Sequence, residues 1–535
     1  MSCGRPMFLL QHFLRRAAEH APNRTALDDG TRTLTYAELE TTTDTVARNL
    51  QASGVGRHTR VLVGTPTSID AVVTVFGVLK AGATYVPVEM DTSKMTEAYL
   101  EGIIDRTDPS AVIISNEQQR PRSFPSRVPV HLINNLTYGA PNLRLAAQHN
   151  CDADIAYIHF TSGSTGISKG VATSHRAAIE YFAMCEEVLR LEDPPTVGVN
   201  TPLLFDLSEF DIHFTVRCGG MMVFAPMNST LLLLKRKISL LYKVPSVISA
   251  LASGLERFDG AGGNEEFGEM RNLIFAGERC PIDALRVIRA FLPQATLHHW
   301  YGSTEAPLVT AFAMPPRSEI PDPLPIGRSV PNVDLAMIGE GGGLFSVSAG
   351  SQGELAVSSS TLLSGYFNNA EATAKALFRA TTGPNQIMHS TWYKTGDVLR
   401  ADQEGVLFFE GRTDRSVKVQ AVPVDLDYVE ATISRIPGVS NNVVIDLPDK
   451  KITTRIECFV LGAPDLEPAL KAEIDRRLEL SMRPVQIHMM PQLPMTASGK
   501  IDRKTLKARR LAARIASENL LPQNSVGFVI RRRPS

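Results

Sequence analysis

Thr161-Ser162-Gly163-Ser164-Thr165-Gly166-Ile167-Ser168-Lys169-Gly170 carries five hydroxyls, three glycines and one lysine in ten residues. The apolar run Ile155 to Phe160 leads into it and Val171 leads out, so it reads as a loop between two strands. Glycines let backbone N–H groups turn toward a ligand, hydroxyls add donors, and the lysine adds a mobile positive charge. Together these are the elements of a loop that wraps phosphates. The Gly163 to Lys169 spacing is not that of a Walker A loop, and Gly170 stands where a Mg-binding hydroxyl would be. A flexible Ser/Gly linker is the competing reading, but linkers seldom lie between two strong strand signals within a domain.

At 535 residues the chain exceeds one ordinary core, and about two to four domains or subdomains are expected. A 43% hydrophobic content and a formal charge of -1 fit a globular protein with no nucleic-acid or membrane partner. Six scattered cysteines without a CxxC pair suggest reduced thiols in a cytoplasmic protein, not a disulfide frame or a zinc site. The N-terminus lacks the long apolar core and cleavage site of a signal peptide. Ala71 to Val88 is apolar but broken by Lys80 and Gly82, and reads as a buried helix running into a strand rather than a membrane span.

Phe8 to His20 has the pattern of an amphipathic helix. Thr35 and Glu38 form a capping box at the start of another. Strands are expected at Arg60 to Thr65 and Thr84 to Val88, with a helix over Ala71 to Lys80 between them. Strand and helix signals alternate to about residue 310, which predicts an α/β fold with largely parallel sheets. From 320 to 365 short β runs rich in Gly, Pro and Ser suggest a small β-barrel-like subdomain, and the last ~120 residues suit a small mobile α+β domain. Lys504 to Ala516 reads as a basic, solvated helix ahead of a frayed end.

The Ser/Gly loop resembles the phosphate-binding signature of the adenylate-forming superfamily, which includes acyl-CoA synthetases and nonribosomal peptide synthetase adenylation domains. Four further segments resemble its motifs in order: His299-Trp300-Tyr301-Gly302-Ser303-Thr304-Glu305; Tyr393-Lys394-Thr395-Gly396-Asp397; Gly411-Arg412-Thr413-Asp414; and Pro494 to Arg503 around Lys500. The resemblance implies a core over 1–411, a hinge at 412–414 and a lid over 415–535. It implies that Thr161, Ser162, Gly163, Ser164, Thr165, Gly166 and Lys169 hold ATP phosphates and that Tyr301 stacks on adenine. Asp397 and Arg412 would meet the ribose, Thr304 the α-phosphate, and Glu305 a Mg²⁺ ion. Lys500 would bridge the substrate carboxylate and the nucleotide, and Asp414 would be the hinge residue. Asp397 as a turn cap and Lys500 as a solvated turn lysine are the competing structural readings.

Thr201 to Ser208 resembles the Phe-Asp segment of amino-acid-activating members, in which Asp206 pairs with the substrate ammonium. The remaining pocket positions implied are Leu207, Phe210, Tyr242, Ile274, Ala276, Trp300, Leu308 and Val309. None of these is charged, and the three aromatics should leave a small apolar hole. The pattern is similar to free-standing adenylating enzymes for L-proline, whereas the bulk of Trp300 points toward alanine, glycine or serine. Residues 415–425 depart from the family at Ser416, Gln420, Ala421, Pro423 and Asp425, and Leu231 to Lys237 does not resemble its usual helix and strand. No Asp-Ser-Leu-type attachment site follows residue 510, so the expected acceptor is a separate carrier protein or CoA. An acid–CoA ligase and a degenerate, non-catalytic nucleotide-binding protein are the competing functions.

Overall fold

The computed structural model describes residues 8–91, 97–119, 128–139, 145–146, 149–161, 169–226, 229–257, 267–339, 341–382, 388–449, 453–461, 466–494 and 501–520. The chain divides into a large α/β unit that runs to Asp425 and a smaller unit that begins at Leu426.

Three large sheets and a two-stranded hairpin, Ser416–Val419 with Val422–Asp425, lie in the described part of the large unit. In the first, Thr84–Pro87, Arg60–Gly64, Ala111–Ile114 and Val130–Leu132 run parallel. Ile155–Thr161 joins them in parallel at Thr84–Pro87 and then pairs antiparallel with Lys169–Ser174. The expected strands flanking the Ser/Gly loop are therefore partners in one ladder, in which Thr161 faces Lys169.

The buried helix Ile69–Ala81 starts at Ser68, whose hydroxyl accepts from the Ala71 N–H. It stops at Gly82, which takes the left-handed conformation that glycine adopts at no steric cost. Lys80 survives in this apolar helix because its ammonium reaches Asp44 at 2.6 Å and Glu40 at 2.7 Å. The capping box at Thr35 is formed in both directions. No helix among the described residues is long and apolar enough to cross a membrane.

The second sheet has nine strands. Its parallel centre consists of Met221–Phe224, Thr196–Val199, Leu240–Lys243, Asn272–Ala276 and Thr296–Ser303. Its antiparallel edge begins at Ala306–Met314. Alternation divides the side chains between two cores. Leu240, Tyr242, Ile274, Ala276 and Trp300 pack on one face, and Leu241, Leu273, Phe275 and Leu297 on the other. The third sheet is antiparallel and gathers the short β runs after residue 330 with the long strand Met388–Ala401 and its neighbour Leu407–Arg412.

Leu231 to Lys237, which does not resemble the family's usual helix and strand, nevertheless lies in and just after a helix, Thr230–Lys235, that leads to the buried strand Leu240–Lys243. The basic C-terminal helix, Arg503–Leu520, is not simply solvated. Arg503, Lys507, Arg510 and Arg514 recur on one side and pair with Glu430, Asp446, Glu457 and Asp449 at 2.6–3.2 Å. Glu457, fully buried, also meets His488 at 2.7 Å and Arg455 at 3.1 Å. Burial alone would raise its pKa, but the hydrogen bonds from His488 and Arg510 and the charges of Arg510 and Arg455 carry it down to about 2. The basic stripe is thus an ion-pair seam within the smaller unit.

Candidate active site

Ser162, Gly163, Ser164, Thr165, Gly166 and Lys500 lie outside the described residues. Both ends of the candidate phosphate loop are described. Thr161 closes one strand, and Lys169 opens the next with its ammonium 5.2 Å above the ring of Tyr366. The Tyr366 hydroxyl donates to Glu305 Oε1 at 2.9 Å, and the Leu363 N–H donates to the Glu305 carbonyl at 2.9 Å. Tyr366 therefore joins the loop's lysine to the candidate metal carboxylate, a link not visible in the motifs.

Thr304 and Glu305 form the turn between strands Thr296–Ser303 and Ala306–Met314. That turn closes tightly because Gly302 has no side chain: a Cβ there would come within 2.5 Å of the Pro307 carbonyl. Among the described residues no group of three or more His, Cys, Asp or Glu side chains is placed to hold a metal ion. A Mg²⁺ ion at Glu305 would complete its shell with phosphate oxygens and water, which suits a hard cation that keeps its waters.

Tyr301 is half-buried, and its hydroxyl donates to Asp397 Oδ2 at 2.6 Å. Arg412 donates to the other oxygen of Asp397 and to the Thr395 carbonyl at 3.2 Å. Gly396, at φ +73°, makes the turn that presents Asp397, whose own N–H is held by Thr395 Oγ1 at 3.0 Å. Each carboxylate oxygen has a second lone-pair site, so this arrangement leaves acceptor capacity for a diol. Asp414 clamps Arg412 through both oxygens, at 2.9 and 3.2 Å. Burial opposes the charge of Asp414, but the guanidinium prevails and lowers its pKa.

Asp206 sits at the head of the short helix Leu207–Glu209, half-buried, and its side chain does not cap that helix. Among the described residues its carboxylate makes no hydrogen bond or ion pair, while its backbone carbonyl accepts from the Glu209 N–H at 3.0 Å. Phe210, Tyr242 and Trp300 meet edge-to-face with ring centroids 5.2–5.7 Å apart. All three are at most 3% exposed. Burial, then the nearby Asp206 charge, pushes the Tyr242 hydroxyl well up. Ile274 and Ala276 share the Trp300 face, with Ala276 in register beside Trp300. Leu308 and Val309 are buried where the ladder between Ala306 and Thr310 is irregular. Leu207 is half-buried against the same core. Among the described residues the Trp300 Nε1–H has no acceptor.

The sequence reading passed over two charges beside this wall. Lys243 follows Tyr242 and is 3% exposed, and Asp211 follows Phe210 and is fully buried. Their charged atoms lie 3.7 Å apart, close enough to attract but too far to hydrogen-bond. Lys243 instead donates to Thr201 Oγ1 at 2.8 Å. A lysine inside the apolar run Leu240 to Val244 was the available signal.

Residues 416–425 form a hairpin whose turn residues Gln420 and Ala421 have φ +51° and +66°. Two left-handed residues define the turn type that matches strand twist, normally filled by Asn or Gly. The Ala421 N–H donates to Glu278 Oε1, and Glu278 Oε2 accepts from the Ser246 N–H at 3.0 Å.

The model of AMP-binding enzymes matches residues 14–367, and that of their C-terminal domain matches residues 428–500. The chain belongs to the AMP-binding enzyme family. It is an adenylate-forming enzyme. It is 26% identical to bacitracin synthase 3 of Bacillus licheniformis over 96% of its own length and 8% of the relative's. It is 29% identical to D-alanine–D-alanyl carrier protein ligase of Lacticaseibacillus rhamnosus, over 92% of its length and 97% of the relative's. The chain therefore spans only a small part of the first relative and nearly all of the second. Its fold matches holo-PA1221, a nonribosomal peptide synthetase protein with adenylation and carrier domains. That match has a TM-score of 0.80 at 22% identity and covers 95% of the enzyme and 87% of the other chain.

Proposed function

We propose that the enzyme activates an α-amino acid, with L-proline the best candidate, as aminoacyl-AMP. It then passes the acyl group to the phosphopantetheine thiol of a separate carrier protein. The observation that carries this reading is Asp206: a half-buried carboxylate with no partner among the described residues, beside a closed aromatic wall. An uncharged acid would leave that carboxylate uncompensated, whereas an α-ammonium would neutralise it. The relatives built around carrier proteins support the acceptor. The unpaired Trp300 N–H supports a bound polar group nearby, since a buried donor without an acceptor costs about 1–3 kcal/mol.

In the first step a carboxylate oxygen attacks the α-phosphorus of ATP, the bond to the β-phosphate oxygen breaks, and pyrophosphate leaves. Positioning and charge stabilisation provide most of the acceleration. Thr161 to Gly166 and Lys169 would hold the phosphates, Tyr301 the adenine, Asp397 and Arg412 the ribose, and Thr304 the α-phosphate. Mg²⁺ at Glu305 would supply charge neutralisation on the phosphates. Lys500 would hold substrate carboxylate and nucleotide together. Lys500→Ala is expected to slow adenylation about 10²–10³-fold, with aminoacyl transfer from preformed adenylate largely spared, as single-turnover assays would read. Rotation of the lid about Asp414 would then withdraw Lys500 for the transfer step.

ATP–pyrophosphate exchange across L-proline, alanine, glycine, serine and several acids lacking an amine tests the reading. Exchange with proline alone is the expected result. Another amino acid would keep the mechanism and revise the pocket. Exchange only with amine-free acids, or none with any acid despite ATP binding, would overturn it.

A further inference from the structure

Glu209 stands three residues after Asp206, and both its oxygens are engaged within the core. Oε1 lies 2.8 Å from Nε2 of His159. Oε2 accepts the Tyr85 hydroxyl and lies 3.2 Å from Nε2 of His213. The side chains of His159 and Glu209 are each 2% exposed. The second ring nitrogen of His159, Nδ1, lies 3.1 Å from the Leu204 carbonyl oxygen. A carbonyl oxygen and a carboxylate can only accept, so an acceptor at each ring nitrogen is satisfied when both nitrogens carry protons.

Burial by itself would neutralise such a pair. Hydrogen bonds and attraction from His159 and then His213 prevail and lower Glu209 to about 2, and those from Glu209 raise His159. The other titratable groups facing the pair are Tyr85, His213, Asp206 and Tyr157, whose ring stands edge-on to His159 at 5.5 Å.

The placement of the pair gives it a consequence. His159 lies on Ile155–Thr161, the strand that opens the phosphate loop. Leu204 lies in the turn that delivers Asp206, closed by a Phe205 N–H to Pro202 carbonyl bond of 3.0 Å. We propose that His159 and Glu209 are positioning residues for amino-acid recognition. The His159 imidazolium, held by Glu209, donates to the Leu204 carbonyl. It thereby locks the Asp206-bearing turn to the strand that opens the phosphate loop, and keeps Asp206 where the substrate ammonium docks. This inference rests on the amino-acid-activating role proposed above.

The test is pyrophosphate exchange between about pH 6 and 8, where an unpaired histidine titrates, with KM for the amino acid and for ATP measured separately. In the unmodified enzyme the amino-acid KM is expected to stay flat across this range. Glu209→Gln should raise it at least about tenfold, the scale of one charged hydrogen bond, with the ATP KM little changed. The rise should steepen with pH, because His159 without its carboxylate sheds its proton in this range. His159→Gln/Glu209→Gln should keep a raised KM but lose the pH dependence. If Glu209→Gln does not fold, Glu209→Asp serves instead: it keeps the charge but shortens the reach to His159, so the amino-acid KM should rise with the ATP KM little changed and stay flat with pH.

An unchanged amino-acid KM in a folded variant overturns the proposal. So does a rise in step with the ATP KM and without pH dependence, which a purely structural role would give. A KM of the unmodified enzyme that climbs with pH also overturns it and needs no variant. Exchange confined to acids without an amine would instead overturn the proposed function, a separate and recognisable result.

Discussion

Lys243→Met is expected to destabilise the enzyme by about 3–5 kcal/mol, because it leaves the fully buried Asp211 carboxylate without a counter-charge. Burial already pushes the pKa of Asp211 up to about 6 against the pull of Lys243, and burial pushes Lys243 down. The sign of the pH dependence follows. The folded-state pKa of Asp211 exceeds its unfolded value of about 3.9, so the folded state binds the proton more tightly. The stability contributed by that proton is fullest below about pH 4 and is lost as pH rises through about 6. Removing Lys243 raises the folded pKa further, so the deficit of the variant should widen from pH 5 to pH 8. Thermal denaturation at the two pH values would show this. Lys243→Met/Asp211→Leu should recover most of the loss, since a buried ion pair is replaceable by well-packed apolar groups. Equal deficits at both pH values would mean that the methionine fails through packing alone. Because Lys243 adjoins Tyr242 and Asp211 adjoins Phe210, the pair also pins two walls of the candidate pocket.

Asp206→Asn should reduce kcat/KM for the amino acid about 10²–10³-fold while leaving the ATP KM nearly unchanged. This is the scale of removing one partner from a desolvated ion pair, about 3–5 kcal/mol, at about 1.4 kcal/mol per factor of ten. The asparagine keeps the shape and can still accept a hydrogen bond from the ammonium, so the loss reports charge and not volume. The same substitution separates the competing functions. An enzyme for an uncharged acid would lose nothing, and would gain where the aspartate had no partner. Unaltered exchange with an amino acid in Asp206→Asn would move the ammonium site elsewhere in the pocket.

Local signals in the chain were readable because their physics is local. The capping box at Thr35 involves residues three apart, and both of its bonds form. The Ser/Gly stretch between two strand signals is flanked by ladder partners, Thr161 and Lys169. Lys80 interrupts an apolar helix without ending it, since its charge is met by Glu40 and Asp44 from the preceding helix. The candidate pocket positions on Leu240–Lys243 and Asn272–Ala276 came from the family resemblance, and these two strands are parallel neighbours, with Tyr242 in register with Ile274.

By itself the sequence determined the family, the α/β class, the order of the motifs and the candidate residues for ATP and amino acid. The class follows from local periodicity, and the family and the candidate residues from motifs that resemble those of known members. Only the tertiary structure decided how the buried charges are matched. His159 meets Glu209 across 50 residues, and Lys243 meets Thr201 across 42. The arginines of the last helix find carboxylates on a sheet whose strands precede it. A charge in water needs no partner, so nothing along the chain marks which charges will be desolvated. Sheet order and helix packing choose the partner, and each choice is enforced by the cost of leaving a buried charge unpaired.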